Sequence, residues 1–411
     1  MVLNYIWIGL FLIGILVGVI RVFIGDTETL PAIMDATFEM SNKAFDMTLA
    51  LTGMLTFWMG LMKVGEDSGL ISRLARFLSP ILTKMFPDVP AGHPALGSIF
   101  MNMSANMLGL DNAATPIGLK AMKELQSINS KKDTATNPMI MFLVLNTSGI
   151  TIIPVSIMAY RASSGAADPT DIFVPLMLTS TCSSFFALIM CCVIQKINLF
   201  QKAFIALFLG VGVMIGGLFW IVIGMDNDGV QHFCRLLTSF LILGAITVFI
   251  VSGWRKKINV YNSFVEGAKD GFKVAVSLIP YVVAILAAIG VFQASGCLGW
   301  LQNGMAQVAE WCGLNSDFVG ALPVALMKPL SGPGARGMML QIFADPNFGP
   351  DSFLGHLASL MQGCTDTTFY ILAVYFGSVG IKKYRYSVVA GLTADIVGFI
   401  FAILVSYLFW G

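Results

Sequence analysis

Residues Met327 to Gly337 read MKPLSGPGARG and interrupt an apolar segment between Ala321-Leu322 and Met338-Met339-Leu340. They put Lys328, Arg336, two prolines and three glycines where a buried helix would continue. A soluble core would not place two cations there. At bilayer depth, backbone broken by Pro and Gly is tolerated only where it is buried in protein or lines a wet cavity, because lipid cannot satisfy the freed N–H and C=O groups. The stretch therefore reads as the broken turn of a re-entrant segment facing a site. A second version lies upstream at Met101 to Gly118, MNMSANMLGLDNAATPIG, and the rest of the chain can be laid out around the two.

Composition supports a membrane setting. The 411 residues are 56% hydrophobic and only 11% charged, and the mean hydropathy is +0.81. An ordinary soluble domain carries about 25% charged residues. The net charge of +1 gives no case for a nucleic-acid partner. No phosphate-binding loop, dinucleotide fingerprint or zinc-protease motif occurs, which leaves no enzyme class to assign. The seven cysteines are scattered, mostly inside apolar runs, and read as small buried hydrophobes instead of a disulfide framework or zinc site. The three histidines are not spaced as metal ligands; His356, near the start of a span, is a weak proton-relay candidate.

Apolar runs long enough to span occur at 3–25, 45–62, 138–160, 172–194, 200–224, 231–251, 272–294, 353–377 and 386–409. The first lacks the basic start and short apolar core of a cleaved signal and is expected to be a retained helix. Two further runs, 95–118 and 319–343, are interrupted halfway, and each follows an amphipathic stretch, 68–85 and 296–311, suited to the membrane interface. Lys and Arg collect on the cytoplasmic side. If both interrupted runs dip in and return, the basic clusters at 63–84, 120–132, 255–273 and 382–385 fall on one side, opposite the acidic residues from Asp26 to Glu39 and from Asp345 to Asp351. A crossing at 95–118 would instead set two basic clusters on opposite sides. The expected fold is thus an all-α integral membrane protein of about nine transmembrane helices plus two re-entrant hairpins, N-terminus cytoplasmic and C-terminus outside.

The order of segments repeats. Ser68-Gly69 matches Ser295-Gly296, Ala95-Leu96 matches Ala321-Leu322, and Asn146–Thr151 lies over Gly363–Thr368. Each unit is a span, an interfacial helix, a hairpin, a span broken by small polar residues, and a final span. The expected organisation is an N-terminal helix at 1–30, a first repeat at 31–198, linking helices at 199–258 and a second repeat at 259–411. An odd number of crossings turns the second repeat upside down, the inverted-repeat plan of many secondary transporters.

Ionisable groups at bilayer depth cost about 2.5 to 3.5 kcal/mol on insertion scales and mark function by default. Lys328 and Arg336 either cradle an anion or pair with Asp366 and Asp395 to pin the hairpin. Asp366, beside Thr365, Thr367 and Thr368, suits a coupling Na⁺ or proton, with Thr151 and Thr368 as further ion ligands, or serves as a counter-ion. Asp395 reads as a structural counter-ion. Asn102, Ser104, Asn106, Asn112, Asn146, Thr147 and Ser148 in the first repeat, with Ser331, Gln362, Thr365 and Thr367 in the second, are neutral groups able to hold a polar substrate. Asn and Ser at half-helix ends are also ordinary caps.

These motifs resemble known families. The stretch from Asn102 to Met122, NMSANMLGLDNAATPIGLKAM, resembles the signature of spore maturation protein A. KPLSGPGARG at 328–337, followed by Ser359 to Gly377, SLMQGCTDTTFYILAVYFG, resembles spore maturation protein B. The chain looks like a fusion of the two, and both belong to a nucleoside-recognition or gate-domain group similar to concentrative nucleoside transporters. The resemblance implies an inner-membrane protein with that fold and, in spore formers, a role in dehydrating the spore core; a dimer follows by analogy. Cys364 departs from the pattern, where a small hydroxyl residue is expected. The leading expectation is a secondary transporter of a small polar, anionic metabolite, coupled to Na⁺ or H⁺ and needing no cofactor, with the lipid bilayer as its setting. A nucleoside transporter and a non-transporting scaffold in spore or envelope maturation are the alternatives; an acid dyad of Asp366 and Asp395 is the enzyme reading, without a recognisable motif.

Overall fold

The computed structural model describes residues 2–90, 92–107, 111–151, 154–222, 227–311, 313 and 315–411. Among them the regular structure is helical, with one isolated β-bridge, Thr134 to Lys383. The helices are α1 (Val2–Phe23), α2 (Thr29–Asp67), α3 (Leu70–Met85), α4 (Pro94–Met107), α5 (Asp111–Ser127), α6 (Asn137–Ser148), α7 (Val155–Ser163), α8 (Phe173–Ile194) and α9 (Lys202–Val222). They continue as α10 (Asn227–Arg255), α11 (Val260–Ala294), α12 (Cys297–Trp311), α13 (Leu322–Met327), α14 (Gly332–Ala344), α15 (Phe353–Gly363), α16 (Thr368–Ser378) and α17 (Ser387–Trp410).

Among the described residues, six helices are long and apolar enough to cross a membrane: Tyr5–Phe23, Thr29–Asp67, Phe173–Ile194, Arg235–Arg255, Val260–Ala294 and Ser387–Trp410. This is a multi-pass membrane protein. Of the other three expected spans, 200–224 contains the helix α9, with 223 and 224 outside the described residues, whereas 138–160 and 353–377 each hold two short helices in series, α6 with α7 and α15 with α16. The second and seventh expected spans lie inside helices of 39 and 35 residues that begin well before their apolar runs. Polar residues continue α2 upstream: Glu39 pairs with Lys43 one turn on at 2.8 Å, and such pairs support a helix without apolar packing.

The chain forms two compact units. Unit one holds residues 1–57, 156–169 and 269–362; unit two holds 58–155, 170–268 and 363–411. Both halves of the sequence repeat contribute to each unit. Unit one contains the hairpin of α13 and α14, the half-helices α7 and α15, and the later part of α11. Here Gly337 gives α14 a close approach to α11, since a Cβ would collide with Ile285. Unit two contains the hairpin of α4 and α5, the half-helices α6 and α16, and α8 and α17. Its core centres on α6, whose residues from Pro138 to Ser148 are all buried. A helix apolar all round belongs inside a bundle, and α6 packs against α8 and α17. Ser183 of α8 donates to the Ala394 carbonyl of α17 at 2.9 Å.

One end of unit two is tied by its loops. Lys382 and Lys383 N–H groups donate to the Asp133 carbonyl at 2.8 and 2.9 Å, and the Ala135 N–H returns to the Lys383 carbonyl at 3.0 Å. Gln126, at the end of α5, donates to the Val379 carbonyl at 3.0 Å. Asn137 reaches Asp88 at 3.4 Å, and Gln195 donates to the Asn137 carbonyl at 3.0 Å. The start of α6, the end of α8, the end of α5 and the loop before α17 therefore share one end.

Two predictions follow from this architecture. The Asp133 carboxyl is held below its ordinary value by the Thr134 hydroxyl and by Lys383, which lies at 3.2 Å. A depressed carboxyl contributes stability that is present above its unfolded value, about 3.9, and lost as pH falls through the lower folded value. Wild type should melt above Asp133→Asn in detergent at pH 6, and the gap should close below about pH 4. In α15, a Cβ on Gly355 would run into the Gly349 and Pro350 carbonyls, which are backbone and cannot turn aside. Gly355→Ala should cost about 1–3 kcal/mol, read as a lowered melting temperature beside an unchanged Gly377→Ala control, where a Cβ meets open space.

Candidate functional site

A helix that stops inside an apolar protein leaves carbonyls at its C-terminus and N–H groups at its N-terminus without partners. Unit two contains both kinds of end. α6 stops at Ser148, and Gly149 turns the chain in the left-handed region at φ +49°. The Ser148 carbonyl accepts from the Ser184 hydroxyl of α8 at 3.0 Å, and the Thr147 carbonyl accepts from the Asp366 N–H at 2.7 Å. Asp366 precedes α16, and its carboxylate accepts from the Thr367 N–H at 2.6 Å. A negative charge there is favoured by the helix dipole. The two broken spans thus meet, backbone to backbone, at Thr147 and Asp366.

Beside this junction is a cavity of about 240 Å³ lined by Asn106, Thr115, Asn146, Asp366, Tyr370 and Tyr375, with Ile371 and Val374. The hairpin supplies Asn106. Its two helices run antiparallel, with Asn102 of α4 donating to the Ala114 carbonyl of α5 at 2.7 Å. Asn106 donates to Asn146 Oδ1 at 2.7 Å, and Asn146 donates to the Phe142 carbonyl at 2.8 Å. Tyr375 stacks on Phe142 with ring centroids 5.6 Å apart, and its hydroxyl donates to Asn146 Oδ1 at 3.4 Å. Asn102 and Asn146 are buried, so these bonds fix amides that would be costly to leave unpaired. Asp366 is exposed on the cavity. The arrangement presents amides, hydroxyls, aromatic surface and one carboxylate, and among the described residues none that lines it is cationic.

The structure brings Asn102, Asn106, Asn146 and Asp366 together and treats the other candidates differently. Thr147 and Ser148 turn their hydroxyls to carbonyls of their own helix, Val144 at 3.0 Å and Leu145 at 3.4 Å. Thr151 donates to the Gly149 carbonyl at 3.2 Å. Ser104 and Thr365 are buried with hydroxyls that have no hydrogen-bond partner among the described residues. Thr367 is buried, and Thr368 donates to Asp395 at 2.6 Å. The side chain of Asn112 lies outside the described residues. Tyr375 and Tyr370 were not singled out from the sequence, where an aromatic in an apolar span reads as packing; the phenolic oxygen that needs a buried partner was the available signal.

The second hairpin lies in unit one. Its break is shorter than the sequence suggests: α13 ends at Met327, and α14 already begins at Gly332. Proline is well placed in a first helical turn, and the Ser331 hydroxyl caps the Gly334 N–H at 3.0 Å. Ser331 is therefore a cap. Arg336 sits on the helix instead of in the loop, 5.0 Å over the ring of Tyr160 from α7. Lys328, 6% exposed, follows the C-terminus of α13, where a cation is favoured. Gln362 donates weakly to the Gly332 carbonyl at 3.5 Å. His356 is held by Arg161 at 3.2 Å and by the Ser352 carbonyl at 2.9 Å. Since Arg can only donate, Nε2 accepts and Nδ1 carries the proton. The same Arg161, fully buried, donates to the Pro350 carbonyl at 2.6 Å and pairs with Asp351 at 3.0 Å.

A family model described as Gate, nucleoside recognition, matches residues 48–164 and 275–382, which takes in both hairpins and both interrupted spans. Spore maturation protein A of Bacillus subtilis (strain 168) is 40% identical over 186 residues, 45% of this chain and 92% of the relative. Spore maturation protein B of the same organism is 42% identical over 179 residues, 43% of this chain and 98% of the relative. Each alignment covers under half of the chain, consistent with a fusion, and the chain belongs to the Gate family as a homologue of spore maturation proteins A and B.

Proposed function

We propose that this protein is a transporter that carries a small polar solute across the cytoplasmic membrane. The observation that carries the reading is the junction of two interrupted spans beside a polar cavity, the feature by which discontinuous helices build a solute site at mid-membrane. In this reading the two hairpins are re-entrant and the repeats are inverted. The shared end of unit two bears Lys131, Lys132, Lys196, Lys382, Lys383 and Arg385, and the excess of positive charge assigns it to the cytoplasm. The N-terminus is then cytoplasmic and the C-terminus outside.

The unit-two cavity favours an uncharged solute that both donates and accepts hydrogen bonds and offers a ring to Tyr370 and Tyr375. A nucleoside is the first class to test, in keeping with the family description. Asp366 serves as the coupling-ion ligand, since its carboxylate stands at a helix start with one oxygen already oriented by the Thr367 N–H. The anionic-metabolite reading rests on Lys328 and Arg336, both in unit one. A scaffold in spore maturation, the setting that the relatives' names supply, predicts no solute movement.

The test is uptake into proteoliposomes with labelled uridine, adenosine and small carboxylates, under Na⁺ and proton gradients. Nucleoside uptake should be saturable and should fall at least about tenfold, or 1.4 kcal/mol, in Asn146→Ala. Asp366→Asn should lose the dependence on the ion gradient. Uptake of carboxylates alone, abolished in Lys328→Ala, would replace the nucleoside with an anion; no uptake of any solute would sink the transporter reading.

A further inference from the structure

Helix α3 lies in unit two and contributes nothing to the polar cavity. Its residues include Arg73, Arg76 and Lys84 and no acidic side chain. Residues three, four or seven apart share one helix face, so Arg73, Phe77, Pro80 and Lys84 form a single stripe with Arg76 at its edge. All five are exposed, Phe77 to 78%. The opposite face is occupied. Leu82 and Met85 are buried in the core of unit two, Ile81 packs against it, and the helix rests on α4 and α9.

The chemistry of the stripe sets the medium that it meets. Pro80 has no N–H to return to the Arg76 carbonyl one turn back. That carbonyl opens on the exposed face, where hydrocarbon would leave it unsatisfied. Phe77 is an apolar ring standing out of the protein in the middle of the same face, which bulk water disfavours. Between hydrocarbon and water lies the headgroup layer, and cations beside an aromatic ring suit a helix lying there.

The cations then select the headgroup. Glu66 and Asp67, just before α3, are both paired with Lys63, at 3.3 and 3.2 Å. Arg73 gives one of its donors to the Ser68 carbonyl at 3.0 Å. Among the described residues no ion pair or side-chain hydrogen bond engages Arg76 or Lys84. Helix α12, which Ser295-Gly296 matches to α3 in the sequence repeat, has no cation and one carboxylate, Glu310, and exposes Trp300 and Trp311. The cations are therefore particular to α3. The charge rule explains why they collect on one side of the membrane, and not why they share a helix face with an exposed ring.

We propose that the exposed face of α3 binds anionic phospholipids of the surrounding bilayer, their phosphates held by Arg76, Lys84 and the remaining donors of Arg73, with the Phe77 ring at the top of the acyl chains. A zwitterionic headgroup would bring its own cation against these three. The surface is independent of the cavity at Asp366 and of the solute that it takes.

The probe is dioleoylphosphatidylglycerol, titrated into the full-length protein in dodecyl maltoside micelles and read both as melting temperature and as lipid adducts by native mass spectrometry. Dioleoylphosphatidylcholine and inorganic phosphate are the counterparts. Phosphatidylglycerol should raise the melting temperature and form adducts at concentrations where neither counterpart does, and about 0.5 M NaCl should weaken it. Arg76→Gln with Lys84→Gln should weaken it at least about tenfold. Lys123→Gln with Lys382→Gln, which removes the same charge from exposed positions outside α3, should leave it unchanged. Phe77→Glu, a single change at an exposed position, should keep the lipid-free melting temperature and abolish the preference, which tests the stripe even if the double variant misfolds. No solute or ion gradient enters the assay, so its outcome does not depend on transport. The proposal is overturned if phosphatidylcholine binds as well, if inorganic phosphate reproduces the shift, if both double variants weaken the lipid alike, or if Phe77→Glu keeps the preference.

Discussion

The interruption of two helices inside an apolar protein sets the terms for unit two. Each interruption exposes backbone groups that water would satisfy in a soluble protein and that lipid cannot. The two breaks solve this together, the Asp366 N–H meeting the Thr147 carbonyl while Ser184 serves the next carbonyl along. That pairing fixes where α6 ends and α16 begins. It thereby fixes Asn146, one residue before the Thr147 acceptor, and Asp366, the donor to that acceptor, on the same cavity. The polar site is a consequence of how the backbone is completed, and its side chains are the residues that flank the necessary bonds.

Ionisable side chains follow the same logic of local completion. Lys328 stands at the negative end of a short helix, Arg336 lies over an aromatic face, and Arg161 is surrounded by a carbonyl, a carboxylate and an imidazole. Asp366 stands at the positive end of α16, and Asp395 accepts from Thr368. Each of these groups has a neighbour of suitable polarity within its own unit. Burial of charge is costly enough that such neighbours are expected. Their presence means that a solute need not supply the missing charge.

Much of this was legible in the sequence because the relevant signals are local. Proline, glycine and short polar runs within apolar segments marked both hairpins and both breaks, and small residues such as Asn146 and Asp366 stood out by polarity alone. Other features depend on three-dimensional neighbours. The run from Gly332 to Gly337 looks like loop, yet a serine cap and a proline in the first turn start α14 there. Tyr160 and Tyr375 are indistinguishable from packing residues until a guanidinium or an asparagine is found beside the ring. Gln341 and Gln293 lie 48 residues apart, so neither amide signals the other. The division into two units is likewise invisible to a linear repeat, because each repeat gives one hairpin to one body and half of its broken span to the other.

The shared core of unit two has a bearing on how the chain can be divided. α6 and α8 come from the first half and α16 and α17 from the second, and they pack within one body, with Ser183 bonded to Ala394 and the loop at Asp133 bonded to Lys382 and Lys383. Neither half owns a complete interior. A nick in the segment between α9 and α10 would therefore separate the covalent chain without separating the hydrophobic contents of the fold. Two fragments synthesised apart would each expose the surface that the other covers, so the linking helices act as a tether that raises effective concentration, while the adhesion between the halves resides in the bundle itself.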